Sequence, residues 1–288
     1  MEGIVSLLKP PGMTSSNAVY DIRRLFGVKH AGHLGTLDPG AAGVLPICLG
    51  RAAKLFDLLV DKEKTYIAEI TFGTATDTLD VYGKVLSKEP ETTVSLAAFS
   101  EAIASFKGRT EQIAPAFSAL KVDGKKMYDL ARAGQEVPER IREIEISGIS
   151  VLRQIAANRF LFRVSCSRGT YIRTLCADIG AALGVPAFMS LLIRTDSGPF
   201  SLADSYTVQE LSALKEEGKL ETAVISCEKA LMHLPEIRLR PDRKGPTING
   251  LPTTMSKMPD GYYRAYSDGF LGLGVVKDHE FRLDVHLY

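Results

Sequence analysis

One acidic residue, Asp38, lies in a glycine-rich stretch that offers it no charged partner. The segment GHLGTLDPGAAGVLP, residues 32–46, contains this carboxylate and no Lys, Arg or second acid. Pro39 fixes its own φ and pushes Asp38 toward extended geometry, while Gly40 can adopt a positive φ. The sequence therefore predicts a rigid turn that presents one carboxylate to a closely approaching molecule. A purely structural Asp-Pro-Gly turn is the alternative.

A carboxylate in such an apolar loop needs a cation from elsewhere in the chain. Desolvation favours the neutral form of the acid, so a carboxylate nucleophile or base requires a nearby Arg or Lys. The stretch SRGTYIRTL contains Arg168 and Arg173 around a predicted helix start, where backbone N–H groups also favour anions. Arg173 falls at the edge of the inward face, which fits a buried ion pair. The alternative is a solvated helix end, and spacing alone does not name the cation.

Metal and nucleotide motifs are weak or missing. His30 and His33 form an H-x-x-H pair without a Cys, Asp or Glu nearby to complete a metal shell. Asp77 and Asp80 could bind a divalent cation, but short Asp side chains before Gly83 are more typical of turn capping. The chain has no phosphate-binding G-x-x-x-x-G-K-[ST] motif, and GLGVVK lacks the third glycine of a dinucleotide-binding loop. We therefore expect no metal and no cofactor.

A basic segment in the middle of the chain is a candidate nucleic-acid surface. Residues 101–175 carry an excess of Lys and Arg, whereas residues 176–232 carry an excess of acids. Within the basic part, APAFSALKVDGKKMYDLARAG interleaves cations with an aromatic ring, a pattern suited to following a phosphate backbone. An amphipathic helix with ordinary charges explains the pattern almost as well. The residues concerned are Lys121, Lys125, Lys126, Tyr128 and Arg132.

The elements that must position these residues alternate between strands and helices. We predict a short strand after the N-terminus, a helix from about Ser16 to Phe26 capped by Ser15 or Ser16, strands in TYIAEITF and RFLFRVSCS, and helices in SLAAFSEAIASFKG and GTYIRTLCADIGAALG. The spacing lacks the regularity of a doubly wound sheet, which favours an α+β fold with a mixed, mostly antiparallel sheet. The predicted inward positions are Val19, Ile22, Phe26, Tyr66, Ala68, Ile70, Phe72, Leu96, Phe99, Ile103, Phe106, Phe160, Phe162, Val164, Cys166, Ile172, Leu175, Cys176 and Ile179.

The pattern changes after about residue 234. Short strands in IRLRP, YYRAYS, FLGLGVV and FRLDVHLY are separated by Pro, Gly and Asp, and Asn249-Gly250 is a turn signal. We predict two domains, residues 1–234 and a small all-β domain of residues 235–288.

The overall composition limits the size of the core, the classes of partner and the location that can be expected. The chain has 288 residues, 45% of them hydrophobic, which is enough for a sizeable core, and its net charge of +1 names no partner. The four cysteines lack the spacing of a disulfide framework, which indicates reduced thiols. No apolar run is long enough to span a membrane. We expect a cytoplasmic protein.

Six blocks, in order along the chain, resemble the TruB type of pseudouridine synthase, the bacterial tRNA pseudouridine-55 synthases. Together they cover roughly residues 3–230, which makes the resemblance far more specific than any single motif. The blocks are KPPGMTSSNAV, GHLGTLDPGAAGVLPICLGRAAKL, KTYIAEITFGTATDTLDVYG, PAFSALKVDGKKMYDLARAG, CSRGTYIRTL and LIRTDSGPF.

The resemblance implies roles for individual residues. Asp38 would be the essential aspartate, Arg173 the arginine paired with it, and Tyr66 the tyrosine that stacks on the target base and helps move a proton. His33 would pack near flipped-out bases of the RNA loop. The residues implied to line or support the RNA site are Lys9, Lys64, Asp80, Lys121, Tyr128 and Arg132.

The resemblance also implies the reaction. It indicates isomerisation of uridine to pseudouridine at position 55, in the T loop of tRNA, with the base flipped out of the stack. The catalytic domain would have the pseudouridine-synthase fold, and residues 235–288 would form a PUA-like RNA-binding domain. We expect a monomer with tRNA as its partner and no membrane association.

Two other functions remain open at this stage. A non-catalytic RNA-binding protein could keep the fold without needing Asp38. A hydrolase acting on a glycoside or nucleoside would use Asp38 with a second carboxylate, for which Asp77 and Asp80 are the nearby choices.

Overall fold

Alternating apolar and polar residues form strands through most of the chain, and helices with one apolar face pack beside them. The computed structural model describes residues 1–60, 63–118, 120–122 and 124–287, without the side chains of Val60 and Lys121. The strands are β1 Gly3–Lys9, β2 Ala31–His33, β3 Ala42–Leu49, β4 Lys64–Phe72, β5 Thr74–Thr76, β6 Val85–Lys88, β7 Gly108–Ile113, β8 Lys121–Val122, β9 Lys125–Lys126, β10 Ile141–Ala156, β11 Arg159–Cys166, β12 Ala187–Ser197, β13 Phe200–Ser201, β14 Glu236–Arg238, β15 Thr253–Thr254, β16 Gly261–Tyr266, β17 Phe270–Lys277 and β18 Glu280–His286. The α-helices are α1 Ser15–Phe26, α2 Phe56–Val60, α3 Leu96–Ser105, α4 Met127–Arg132, α5 Ile172–Ala182, α6 Val208–Glu216, α7 Cys227–Ala230 and α8 Pro241–Ile248, and 3₁₀ turns cover Gly50–Leu55, Leu202–Asp204 and Leu220–Ala223.

A nine-stranded sheet forms the larger part of the molecule. Its strand order is β1-β3-β12-β4-β11-β10-β7, with β2 paired to β3 and β13 to β12. Only the β3–β12 pair is parallel among these pairings, through Ile193 opposite Ala42 and Arg194 opposite Gly43. This mixed, mostly antiparallel sheet with helices packed on it confirms the predicted α+β fold.

The core of this sheet follows the predicted alternation. The inward positions of β4 and β11 are all buried, as are those of α5. Phe99 on α3 stacks on Phe160 with ring centroids 4.4 Å apart. Three predicted positions differ, and one of them, Val19 on α1, is only half-buried. Leu96 is 49% exposed because it lies at the first position of α3, and Phe106, the C-cap of α3, is only half-buried.

Helix α1 begins one residue earlier than predicted, and its cap is a different residue. The Thr14 hydroxyl accepts a hydrogen bond from the Asn17 N–H at 3.0 Å and so caps the helix. Ser15 is not the cap because its hydroxyl bonds to the backbone of Leu37, donating to the carbonyl and accepting from the N–H, both at 2.9 Å. The start of α1 is thereby fixed to the segment that precedes Asp38.

The second sheet lies entirely within the predicted C-terminal domain. Its five strands have the order β14-β16-β17-β18-β15, and only β14–β16 is a parallel pair among them. The segment also contains α8, which the strand pattern did not predict. Pro241 lies in the first turn of that helix, where its missing N–H is harmless. Asn249-Gly250 follows the helix end instead of forming a hairpin turn.

Apolar residues join the two sheets. Leu273 and Val285 of the second sheet belong to the same buried cluster as Ile4, Leu55 and Leu231 of the larger part. The Tyr266 hydroxyl donates to Glu228 at 2.8 Å beside this cluster. Residues 235–287 are therefore packed onto the rest of the chain through a shared core.

Candidate active site

Asp38 and Arg173 form an ion pair at the centre of the candidate site. Asp38 lies in the loop between β2 and β3, and Arg173 is the second residue of α5. The Arg173 Nε donates to Asp38 Oδ2 at 2.9 Å. The arginine side chain is 5% exposed and the aspartate side chain 36% exposed, so the cation is buried while the carboxylate still faces solvent. The cation that Asp38 required is thus Arg173, whereas Arg168 is exposed.

The rest of the Arg173 guanidinium binds two further segments. Nη1 donates to the Thr78 carbonyl at 3.0 Å and Nη2 to the Phe117 carbonyl at 3.1 Å. Three separate loops therefore converge on one guanidinium, and its planar fork fixes their relative positions. Neither carbonyl could be found from the sequence, because any residue type supplies the same acceptor.

Lys9 supports the loop that contains Asp38 from inside the protein. Its side chain is fully buried, and Nζ donates to the carbonyls of Met13, Pro10 and Pro39 at 2.7, 2.9 and 3.3 Å. Desolvation lowers the pKa of Lys9 to about 8, although the nearby Asp38 carboxylate acts in the opposite direction. Lys9 was predicted to line or support the RNA site. The structure places its ammonium beneath the Asp38 loop, away from the surface.

Arg194 is a buried residue of the site that the sequence analysis did not single out. It is 0% exposed and donates to the carbonyls of Val44, Gly35 and Thr36 at 2.7, 3.2 and 3.3 Å. These acceptors lie on both sides of Asp38. The signal was a charged residue on the inward face of a strand in the LIRTDSGPF block. Such a position demands partners.

Tyr66 lies opposite Arg194 on the neighbouring strand and is buried. Burial raises the pKa of the Tyr66 phenol, while the charge of Arg194 and a hydrogen bond to it act in the opposite direction. The hydroxyl therefore stays protonated at neutral pH. The charges of Arg194 and Asp38 both act on the pKa of the Tyr66 phenol, in opposite directions.

Three further predicted residues lie on the elements around this group. His33 ends β2, and burial lowers its pKa, so the ring is neutral; its Nδ1 is buried and makes no hydrogen bond. Lys64 is buried at the start of β4, and its side chain lies close to Gly35. Asp80 caps its own turn, accepting from the Thr78 hydroxyl at 2.6 Å and the Tyr82 N–H at 3.0 Å.

The basic segment forms a hairpin and a short helix beside the Arg173 contact. The Tyr128 N–H donates to the Ser118 carbonyl at 3.0 Å, next to the Phe117 carbonyl that Arg173 holds. Lys126 and Arg132 lie 5.2 and 5.4 Å from the centre of the Tyr128 ring. This is the predicted interleaving of cations with an aromatic side chain. The Lys121 side chain lies outside the described residues.

The chemistry open to this site is that of one carboxylate. Asp77 Oδ1 accepts from the Lys84 N–H at 2.8 Å, so both neighbouring acids serve as turn acceptors. Across the described residues, no three His, Cys, Asp or Glu side chains are grouped to hold a metal, and no helix is long and apolar enough to cross a membrane. The site can present one carboxylate, held by an arginine, to a bound molecule, with the Tyr66 hydroxyl nearby.

The family comparison covers most of the chain in two consecutive parts. The N-terminal domain of the TruB family pseudouridylate synthases matches residues 23–172. The tRNA pseudouridylate synthase B C-terminal domain matches residues 173–232. The boundary between the two matched regions falls at Arg173, so the Asp38–Arg173 ion pair connects one region to the other.

Individual relatives agree with this assignment. A protein of Clostridioides difficile (strain 630) named tRNA pseudouridine synthase B is 40% identical, covering 99% of this chain and 98% of its own. Its namesake in Bacillus subtilis (strain 168) is 46% identical over 82% of this chain and 78% of its own.

Solved structures show the same fold. One chain of an H/ACA ribonucleoprotein bound to a substrate RNA containing 2'-deoxyuridine aligns with a TM-score of 0.75 and 26% identity, covering 99% of this chain and 85% of that one. A chain of the archaeal Nop10–Cbf5 complex aligns at 0.72, with 26% identity over 99% and 86%. The two matched domains and the identity across nearly the full length show that this chain belongs to the TruB family of pseudouridylate synthases.

Proposed function

We propose that this protein isomerises uridine to pseudouridine in tRNA, at position 55 of the T loop, with Asp38 as the essential carboxylate. The observation that supports this most directly is the Asp38–Arg173 pair, in which a buried guanidinium holds a solvent-facing carboxylate at 2.9 Å. The names of the relatives support tRNA as the substrate. A cytoplasmic location fits that substrate.

The reaction exchanges one bond to the ribose for another. The bond between C1′ and N1 of uracil breaks, the base rotates, and C1′ bonds to C5. The proton on C5 leaves and N1 gains one, so the reaction needs no net oxidant or reductant. Because these atoms are inaccessible in a stacked loop, the uridine must leave the stack and enter the site.

Each residue of the group has a proposed task. Asp38 acts on the ribose or the base, by attack on C1′, attack on C6 or removal of the C2′ proton. Arg173 holds the carboxylate in place through the ion pair, which is a positional effect. The Tyr66 ring stacks on the uracil and its hydroxyl takes part in proton movement. Arg194 and Lys9 are positioning residues, since both act through the loop that carries Asp38.

The remaining predicted residues are proposed to hold the RNA. His33 packs against loop bases, Lys64 and Asp80 support the walls of the site, and the surface of Lys121, Tyr128 and Arg132 follows the phosphate backbone. Residues 235–288 form the proposed PUA-like RNA-binding domain. We propose that the protein acts as a monomer.

The position of the product tests this function. Unmodified tRNA would be incubated with the protein, and pseudouridine would be located by its carbodiimide adduct, which stops reverse transcription. We expect one new stop, at the T-loop uridine, and none in a matched tRNA with cytidine at that position. Binding without a stop would favour the non-catalytic protein, and release of free uracil would favour the hydrolase.

A further inference from the structure

An exposed aromatic ring lies against the loop that carries Asp38. Tyr82 is 71% exposed, although large apolar side chains usually gain stability by burial. Its ring nevertheless has a fixed neighbour: a Cβ built on Gly40 would lie 2.0 Å from Tyr82 Cε2 and 2.7 Å from Cζ. Only glycine, two residues after Asp38, allows the ring this position. The ring is therefore placed beside the active site with most of its surface uncovered.

The backbone around Tyr82 is tied to the catalytic pair. The Tyr82 N–H donates to Asp80 Oδ1 at 3.0 Å, and the Gly83 N–H donates to the Asp80 carbonyl at 3.3 Å. The same turn provides the Thr78 carbonyl that accepts from Arg173. The turn that carries Tyr82 is thus joined through the Arg173 guanidinium to the loop that carries Asp38.

The surroundings of the ring suit a nucleic acid. Val81 is 51% exposed next to it, and Lys84 is exposed two residues further on. The two acids of the turn are occupied as hydrogen-bond acceptors. An uncovered aromatic face with a nearby cation is the combination that binds single-stranded RNA, since bases stack on the ring and phosphates approach the cation.

We propose that Tyr82 is a stacking platform for a tRNA base adjacent to the target uridine. This inference rests on the proposed function. When the uridine leaves the stack, a neighbouring base loses its partner on one face, and the Tyr82 ring can cover that face. Stacking depends on a flat π surface rather than on base identity, so Tyr82 adds affinity for the opened loop with little sequence preference.

Substitutions that keep or remove the ring test this role. Tyr82→Ala is expected to raise KM for unmodified tRNA by about 5- to 150-fold, the factor that corresponds to the usual loss of one stacked base. Tyr82→Phe keeps the ring and should keep the wild-type KM, and kcat at saturating tRNA should change less than twofold in both. Tyr20→Ala is the control, because Tyr20 is 50% exposed on α1.

Three results would overturn the proposal while leaving the proposed function intact, provided that the wild type is active. One is an unchanged KM in Tyr82→Ala, which would assign the ring to a protein contact. Another is an equal rise in KM for Tyr20→Ala. The third is a fall in kcat and thermal stability without a change in KM, which would make Tyr82 a structural support for Gly40. An inactive wild type would instead refute the proposed function.

Fluorescence gives a direct second readout. The chain has no tryptophan, so Tyr82→Trp introduces a single indole. Its emission should be quenched on titration with unmodified tRNA, while that of Tyr20→Trp should not. Emission from Tyr82→Trp that stays unchanged at saturating tRNA would contradict base stacking.

Discussion

At the scale of single residues, Arg173 holds three segments of the site together in addition to supplying a positive charge. It holds Asp38, Thr78 and Phe117 through three donors. Arg173→Ala should abolish measurable turnover and lower the free energy of unfolding by about 2–4 kcal/mol, because two carbonyls and a partly exposed carboxylate lose their donor. Arg173→Lys keeps the positive charge but lacks the planar guanidinium with its several donors. Relative to Arg173→Ala, it should therefore restore more of the stability than of the turnover rate. Single-turnover rates and urea unfolding measure the two effects. Normal values for Arg173→Ala would contradict this role.

Lys9 predicts a pH dependence of stability. Its pKa is about 8 in the folded protein, below the usual value for lysine, because the side chain is desolvated. Below pH 8 the Lys9 ammonium is charged in the folded protein, and this buried charge lowers the free energy of unfolding. Between about pH 8 and 10.5 the unfolded chain binds more protons than the folded one, so stability should rise with pH. Relative to Lys9→Met, the wild-type free energy of unfolding should increase across this range by up to about 3 kcal/mol. Parallel urea unfolding data for the two proteins at pH 7–10 would contradict the shifted pKa.

Part of the site was predictable from single residues, and part was not. The need of Asp38 for a cation follows from sequence, but Gly40 does not use the positive φ open to it, and the Tyr82 ring lies against it instead. The pairing with Arg173 rested on family resemblance, because a contact across 135 positions leaves no local pattern. Arg194 was missed for a related reason. Its partners are backbone carbonyls, which have no sequence signature, and only its position on an inward strand face marks it.

At the scale of elements, the parallel pairing of β3 with β12 positions the Asp38 loop. Gly43 has φ +116°, and an added Cβ would lie 2.2 Å from the Arg194 carbonyl oxygen. Gly43→Ala should therefore cost about 2–4 kcal/mol of stability and reduce activity, through backbone strain and overlap with β12.

Gly32→Ala is the matched control for this substitution. An added Cβ at Gly32 would meet nothing within 4 Å, and its φ is not positive. Urea unfolding of both variants measures the difference. Equal stabilities would show that the close approach of β3 and β12 is unimportant.

The elements themselves were the most predictable part of the fold. The alternation in β4 and β11 and the apolar face of α5 gave the correct buried residues, because each is a local pattern with a single period. The ends were less predictable. The cap of α1 was assigned to Ser15 or Ser16, but the Leu37 backbone, distant in sequence, takes the Ser15 hydroxyl. Helix α8 was missed because it contains Gly245 and Pro246, two residue types that disfavour a helix interior.

At the scale of the whole molecule, the two sheets share a core. Leu273, from the second sheet, is 3% exposed in the cluster that includes Leu55 and Leu231. Leu273→Ala should lower the free energy of unfolding by about 2–5 kcal/mol, because it leaves a cavity in the core shared by the two sheets. Leu251→Ala, at a site 57% exposed in the same segment, should change it by less than about 0.5 kcal/mol. Equal effects of Leu273→Ala and Leu251→Ala would mean that the core shared by the two sheets adds no stability.

The most direct test of the central proposal follows the hydrogen on C5. Forming the new bond at C5 expels it, so unmodified tRNA labelled with tritium at C5 of uridine should release one equivalent per tRNA with the wild-type protein. Asp38→Asn should release none while still binding tRNA, and Asp204→Asn, at an exposed acid, should match the wild type. Release by Asp38→Asn at the wild-type rate, or no release by the wild type, would contradict the account.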